Sequence, residues 1–191
     1  MVSFDEQAIL DNGAYIYNQR AEIERIADEI CEKVFDSIFF TSSGGSLAMM
    51  QPFDYMVSVM SDIPVQSQVS ADFLTVGNRR IGKGTLAFMA SKSGDTKETV
   101  AAAKAAKDAG CTIVSTLGVD GSPLGELSDY GVIYKQGRPM ELVLYLLIGK
   151  ILKNRGFFDD YDRFADELVN LPAALVSVGK NADEMARAYA L

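Results

Sequence analysis

TLAFMASKSGDTKETV, residues 85–100, governs how the rest of the chain is read. Its first six residues, Thr85–Ala90, form a short unbroken apolar run, the pattern of a strand covered on both faces. From Thr96 a helical stretch runs to Ala109. The join between them is rich in hydroxyls: Ser91, Lys92, Ser93, Gly94, Asp95, Thr96. The same grammar recurs on either side of it. Short apolar runs at Ser37–Thr41, Val65–Val69, Thr112–Leu117 and Gly131–Tyr134 alternate with helical stretches at Ser46–Met60 and Asp72–Val76 and a turn-helix at Pro123–Ser128. Such alternation predicts an α/β three-layer sandwich, a parallel sheet with helices on both faces and right-handed crossovers.

The two ends read differently. In residues 1–35, Ile16, Ile23, Ile26, Ile30 and Val34 keep helical spacing with acids opposite, which predicts one amphipathic helix over about 5–35. Beyond Pro139 a strongly apolar helix, Met140–Lys153, is expected to be buried on more than one side. Further amphipathic helices are expected at Phe157–Leu175 and Ala182–Leu191. The division is therefore a helical arm (1–35), a central α/β unit (36–150) and C-terminal helices (151–191). No Gly, Asn or Pro follows the last helical pattern to stop it. The helix either frays there or leads on toward a second domain.

Charge and composition narrow the chemistry. Lys and Arg number 18 and Asp and Glu 26, a net charge of −8, with no histidine. The acidity sits in the flanks: residues 1–35 net −5 and 157–191 net −4, leaving +1 in between. Nucleic-acid binding needs clustered cations, so that role is not expected. A near-neutral centre can still hold a small anion. The missing imidazole excludes Ser-His-Asp and Cys-His nucleophiles and His-built metal sites. Cys31 and Cys111 lack metal spacing and read as free thiols in a reducing compartment. The longest apolar run, Leu142–Gly149, is far too short to span a bilayer, which takes roughly 20 residues. Met1–Leu10 holds Asp5 and Glu6 and no basic leader pattern. A cytoplasmic setting, with no membrane partner, follows as the expectation.

Two loops carry the chemistry. One is Thr41-Ser42-Ser43-Gly44-Gly45-Ser46 after the first strand; the other is Ser91–Thr96 after the third. Ligands of open α/β sheets bind outside the carboxyl ends of the strands. A helix starting there offers unpaired N–H groups and a positive partial charge to an anion. Ser91, Ser93 and Thr96 stand at relative positions 1, 3 and 6 around Gly94, a spacing that lets three hydroxyls converge on one phosphate. Capping by Asp95 or Thr96 would account for one of these residues, not for three hydroxyls around a glycine.

SKSGDTKETV, followed by KAAKDAGCTIVSTLG and SPLGELSDYGVIY, resembles the core signature of the SIS (sugar isomerase) domain family. SSGGSLAMM resembles that family's first glycine/serine loop. The likeness covers about residues 36–150 and leans toward the fructosamine-6-phosphate deglycases, whose first loop has cysteine where Ser43 stands. It implies a five-stranded parallel sheet of flavodoxin-like layout and a bound phosphosugar. By motif match Ser91, Ser93 and Thr96 would hold the phosphate, with Lys92, Gly94 and Asp95 in the same loop. Ser43, Gly44, Gly45 and Ser46 would line the opposite side. Lys92 departs from a position often filled by glutamine. Deglycase-like members carry two tandem SIS domains, and their catalytic glutamate and histidine lie in the second. No catalytic residue transfers from them onto this chain.

Within the chain, Glu98, in the first turn after Thr96, is the one weak candidate for a catalytic base; a first-turn carboxylate also serves the helix dipole. Glu126 and Glu141 read as a solvated acid and a helix-start acid. Tyr134 and Lys135 fall at the end of the fifth strand, near the ligand edge. The leading expectation is a phosphosugar-binding domain, half of a sugar-phosphate isomerase or fructosamine-6-phosphate deglycase, with no metal or organic cofactor. The alternative is a non-catalytic phosphosugar sensor or assembly module. A flavin-binding reading is disfavoured, because flavodoxins place their hydroxyl loop after the first strand. The long apolar helices of both flanks predict a homodimer or higher homo-oligomer.

Overall fold

The computed structural model describes residues 5–135 and 139–189. In chain order it contains α1 (Glu6–Tyr17), α2 (Arg20–Glu32), β1 (Ser37–Ser42), α3 (Gly45–Met60), β2 (Val65–Val69), α4 (Ser70–Val76) and β3 (Thr85–Ser91). There follow α5 (Lys97–Asp108), β4 (Thr112–Leu117), α6 (Pro123–Leu127), β5 (Tyr130–Ile133), α7 (Glu141–Asn154) and α8 (Tyr161–Glu167). A 3₁₀ turn at Leu168–Asn170 leads into α9 (Leu171–Tyr189). The strands form one sheet of order β2-β1-β3-β4-β5, with every neighbouring pair parallel. The expected α/β sandwich with a five-stranded parallel sheet is the fold observed.

The unbroken apolar runs arise because each strand is covered twice. Along β3, Leu86, Phe88 and Ala90 join one core, while Ala87 and Met89 join the other. In β1, Ile38 and Phe40 face one way and Phe39 the other. The first core is thick, with α2, α3 and α7 against the sheet. Nine residues of α7, from Leu142 to Leu152, are buried, each contributing roughly 1.5–3 kcal/mol when it leaves water. The second core is thin. There α5 is seated through Ala102, Ala103 and Ala106, with Phe73 of α4 and Leu124 of α6 completing it.

The flanks depart from expectation in three places. The N-terminal helix is not continuous: it breaks at Asn18, where the Gln19 side-chain amide donates to the Ile133 carbonyl at the end of β5 (3.1 Å). Arg20 then opens α2 by pairing with Glu24 and with Asp166. Val34 falls outside the apolar stripe and is 94% exposed, because α2 ends at Glu32 and Lys33 is already extended. Toward the C-terminus the helix expected over Phe157–Leu175 is split. Gly156 turns the chain at φ +80°, α8 is short, and α9 begins only at Leu171 and runs through the stretch expected to start a new helix at Ala182. Pro172 fits the first turn of α9, where its missing N–H is no loss. It packs so tightly on α1 that a Cβ at Gly13 would lie 2.1 Å from its ring. Among the described residues no helix is long and apolar enough to cross a membrane.

Candidate functional site

The strand order places the two hydroxyl-rich loops side by side. From β1 the chain crosses to β2 on one side, and the next crossover sets β3 on the other. The crevice between the carboxyl ends of β1 and β3 is therefore the topological switch point, where open α/β sheets accept ligands. Residues 43–44 lead from β1 into α3, and residues 92–96 lead from β3 into α5. Ser42 Oγ donates to the Ala90 carbonyl and pins the roots of the loops together. Ser43 Oγ lies 3.3 Å from Thr99 Oγ1, so either hydroxyl can donate across the crevice.

Both helices begin uncapped. Gly44 precedes α3 and Thr96 precedes α5, and neither helix start receives a side-chain capping bond. The first helical bonds close with Ala48 N–H to Gly44 O and Val100 N–H to Thr96 O. The amides of residues 45–47 and 97–99 are left over, the orphan donors that attract an anion. Asp95, weighed as a cap, is not one: its side chain is exposed and bonds no described residue. Its carboxylate leaves those amides open.

The hydroxyls divide into two kinds. Ser91 is 2% exposed; its oxygen accepts the Gly94 N–H (2.9 Å) and lies 3.0 Å from Thr96 Oγ1. It shapes the loop from within. Ser93 and Lys92 are exposed and bond no described residue, while Thr96 and Ser46 are half-buried at the rim. Thr99 is fully buried and joins the set, one turn beyond Thr96 on the same helix face; its spacing in the TKET stretch was the available signal.

Gly94 has two reasons to be glycine. Its φ is +73°, and a Cβ there would stand 2.1 Å from Ser122 Oγ. Ser122, which the sequence did not single out, is 4% exposed and its hydroxyl has no partner among the described residues. The Gly94 carbonyl in turn accepts the Leu124 N–H at 2.9 Å. Gly44 has φ +55°, and a Cβ at Gly44 or Gly45 would meet nothing within 4 Å. One side of the crevice is thus open, a shelf rather than a cavity. Depressions of about 220 Å³, among Lys33, Lys83, Gly110 and Tyr130, and of about 350 Å³, beside Asp36 and Arg80, lie at the opposite, amino end of the sheet. They are concave but hold none of the site chemistry.

The base candidates do not gather at the shelf. Glu98 is exposed in the first turn of α5, and Glu126 is exposed on α6. Glu141 starts α7, beside Tyr134. Tyr134 is not at a ligand edge: it is fully buried in the first core. Burial, with the Glu141 charge adding to it, pushes its hydroxyl up to about 12, so it stays protonated at neutral pH. Lys135 does reach the carboxyl edge, in a left-handed conformation (φ +57°), with Nζ 3.9 Å above the Tyr15 ring. Its carbonyl and that of Lys92 both crowd Gly118, where a Cβ would meet them at 3.1 and 2.2 Å. Among the described residues no three His, Cys, Asp or Glu side chains gather as a metal-holding group.

Known proteins with this arrangement are numerous. The family model described as SIS domain matches residues 34–148. The glutamine–fructose-6-phosphate aminotransferase (isomerizing) of Thermotoga maritima is 31% identical over 155 residues, 75% of this chain and 25% of its own length. Fructosamine deglycase FrlB of Bacillus subtilis is 27% identical over 179 residues, 88% of this chain and 55% of its own length. The chain thus spans about a quarter and about half of these two relatives. The C-terminal domain of glucosamine-fructose-6-phosphate aminotransferase from Francisella tularensis superposes with a TM-score of 0.78 at 20% identity, over 94% of this chain and 56% of that one, a likeness of fold.

Proposed function

The chain belongs to the SIS domain family, and from that premise we propose that it binds a sugar phosphate at residues 43–46 and 91–96 and forms the phosphate-holding half of a sugar-phosphate isomerase or fructosamine-6-phosphate deglycase site. The observation that carries the reading is the meeting of two uncapped helix starts at one switch point, ringed by hydroxyls. The amides of residues 97–99, with Ser93 and Thr96, hold the phosphate; Ser91 braces the loop, and Lys92 adds charge at its rim. Gly44, Gly45 and Ser46 admit the sugar on the other side. The names of the two curated relatives, which specify fructose 6-phosphate and fructosamine, support a 6-phosphorylated ketose or ketosamine as ligand.

Ring opening and proton transfer between adjacent carbons need a positioned carboxylate, usually helped by an imidazole. This chain has no histidine and its shelf is open, so the proposal assigns those steps to a second SIS unit or a second subunit closing over it. The assembled site forms an enol-type intermediate and expels an amine or returns an aldose phosphate. A cytoplasmic setting is part of the proposal, supported by the two unpaired cysteines.

Titration calorimetry with fructose 6-phosphate is the test. Losing three hydroxyl partners in Ser91→Ala/Ser93→Ala/Thr96→Ala is expected to weaken binding by about 100-fold or more, at roughly 1 kcal/mol or more per hydrogen bond. Unchanged affinity overturns the reading. The same open shelf favours one alternative, a sensor that binds a phosphosugar without turning it over; isomerase or deglycase turnover by the isolated chain eliminates it.

A further inference from the structure

Helix α9 carries more apolar surface than the fold covers. Its inner side is engaged: Pro172 and Val176 are buried, and Lys180 Nζ pairs with Glu6 of α1 at 2.7 Å. On the opposite side Leu175, Val178, Met185 and Tyr189 are 39, 65, 58 and 88% exposed. With Leu171 and Ala182 they recur at intervals of four, three, four, three and four residues. That is the repeat of a two-helix seam, in which side chains of one helix enter holes in another. The flanking positions, Ala174, Gly179, Asn181, Ala186 and Ala188, are small and uncharged, so a second helix can approach closely. The charges lie elsewhere on the helix, where Arg187 pairs with Asp183 at 2.8 Å.

We propose that a second copy of this chain occupies the seam, the two α9 helices packing antiparallel about Ala182. In that register Val178 of one copy meets Met185 of the other, Leu175 meets Tyr189, and Ala182 faces itself, so large side chains fill both ends and small ones the centre. The arrangement keeps the two folded bodies at opposite ends of the seam. Two chains of net charge −8 meet along a surface that carries none. The exposed side chains amount to roughly 500 Å² per copy and about 1,000 Å² for the pair, the lower bound of a specific interface, which sets a micromolar dimer.

Sedimentation of the full chain tests the proposal. The wild-type chain is expected to pass from monomer to dimer between about 1 and 200 μM. Val178→Asp/Met185→Asp is expected to raise the dissociation constant by about 100-fold or more, with an unchanged circular dichroism spectrum because both positions are exposed. Ala182→Cys is expected to form a disulfide-linked dimer under mild oxidation, whereas Leu175→Cys and the native cysteines do not. A wild-type monomer throughout this range, a dimer indifferent to the double substitution, or cross-linking at Leu175→Cys overturns the proposal. Packing of α9 on some other polypeptide shows as the first of these.

Discussion

Gly94 shows how tightly a loop can specify one residue. Its left-handed backbone costs a residue with a Cβ about 1–2 kcal/mol, and the Ser122 hydroxyl occupies the space such an atom needs. The two costs are separable. Gly94→Ala is expected to lower stability by about 2–3 kcal/mol in urea denaturation and to abolish sugar-phosphate binding, since the amides beyond it shift. Adding Ser122→Gly should recover the steric part and leave the backbone part. Ser122→Ala alone should keep or slightly raise stability, because the hydroxyl it deletes is buried without a partner among the described residues. A loss of 1 kcal/mol or more there would reveal a bond the structure does not contain.

At the scale of elements, the joint between α1 and α2 is held by a polar cluster. Arg20 reaches Glu24 and Asp166, each at 2.6 Å, and Tyr161 of α8 donates to Glu24 and to the Leu146 carbonyl, each at 3.0 Å. Arg20→Ala is expected to destabilise by about 1–2 kcal/mol, and Arg20→Lys should recover little, because a lysine cannot serve two carboxylates in a fixed fork. Urea midpoints of both variants check this. The same joint shows where sequence reading stops. Ile16, Ile23, Ile26 and Ile30 kept one helical period, so their burial was legible; the break at Asn18 was not, because its cause is a carbonyl 114 residues away. The loops after β1 and β3 could be read as well, since a strand-to-helix join is local and Ser, Gly and Thr mark it. Ser122 could not, because only the fold brings it against Gly94. Tyr134 was misread because a residue at a strand's end faces solvent or core according to the layer packed on it, and here α7 covers it.

For the molecule as a whole, two buried acids predict alkaline sensitivity. Burial raises the Cys111 thiol from 9.0 to about 11; burial and then the Glu141 charge raise Tyr134 from 10.0 to about 12. Below pH 9 both groups are protonated in either state and their contribution to stability is fully present. As pH rises from about 9 to 12 the unfolded chain ionises first, so that contribution is lost. Together they are expected to cost about 1–3 kcal/mol across this window, less than the full linkage value because both sites are only partly screened from water. Urea midpoints at pH 7.5 and 10.5 measure it, and Cys111→Val should flatten the earlier part of the fall. The thin core under α5 has a different consequence. Ala102, Ala103 and Ala106 have no rotatable side chain, so the helix bearing the candidate phosphate amides rests on a seat that cannot readjust. Those amides are then ordered before any ligand arrives, little entropy is left to lose on binding, and their hydrogen exchange should be slow in the empty protein and scarcely slower when a sugar phosphate is bound.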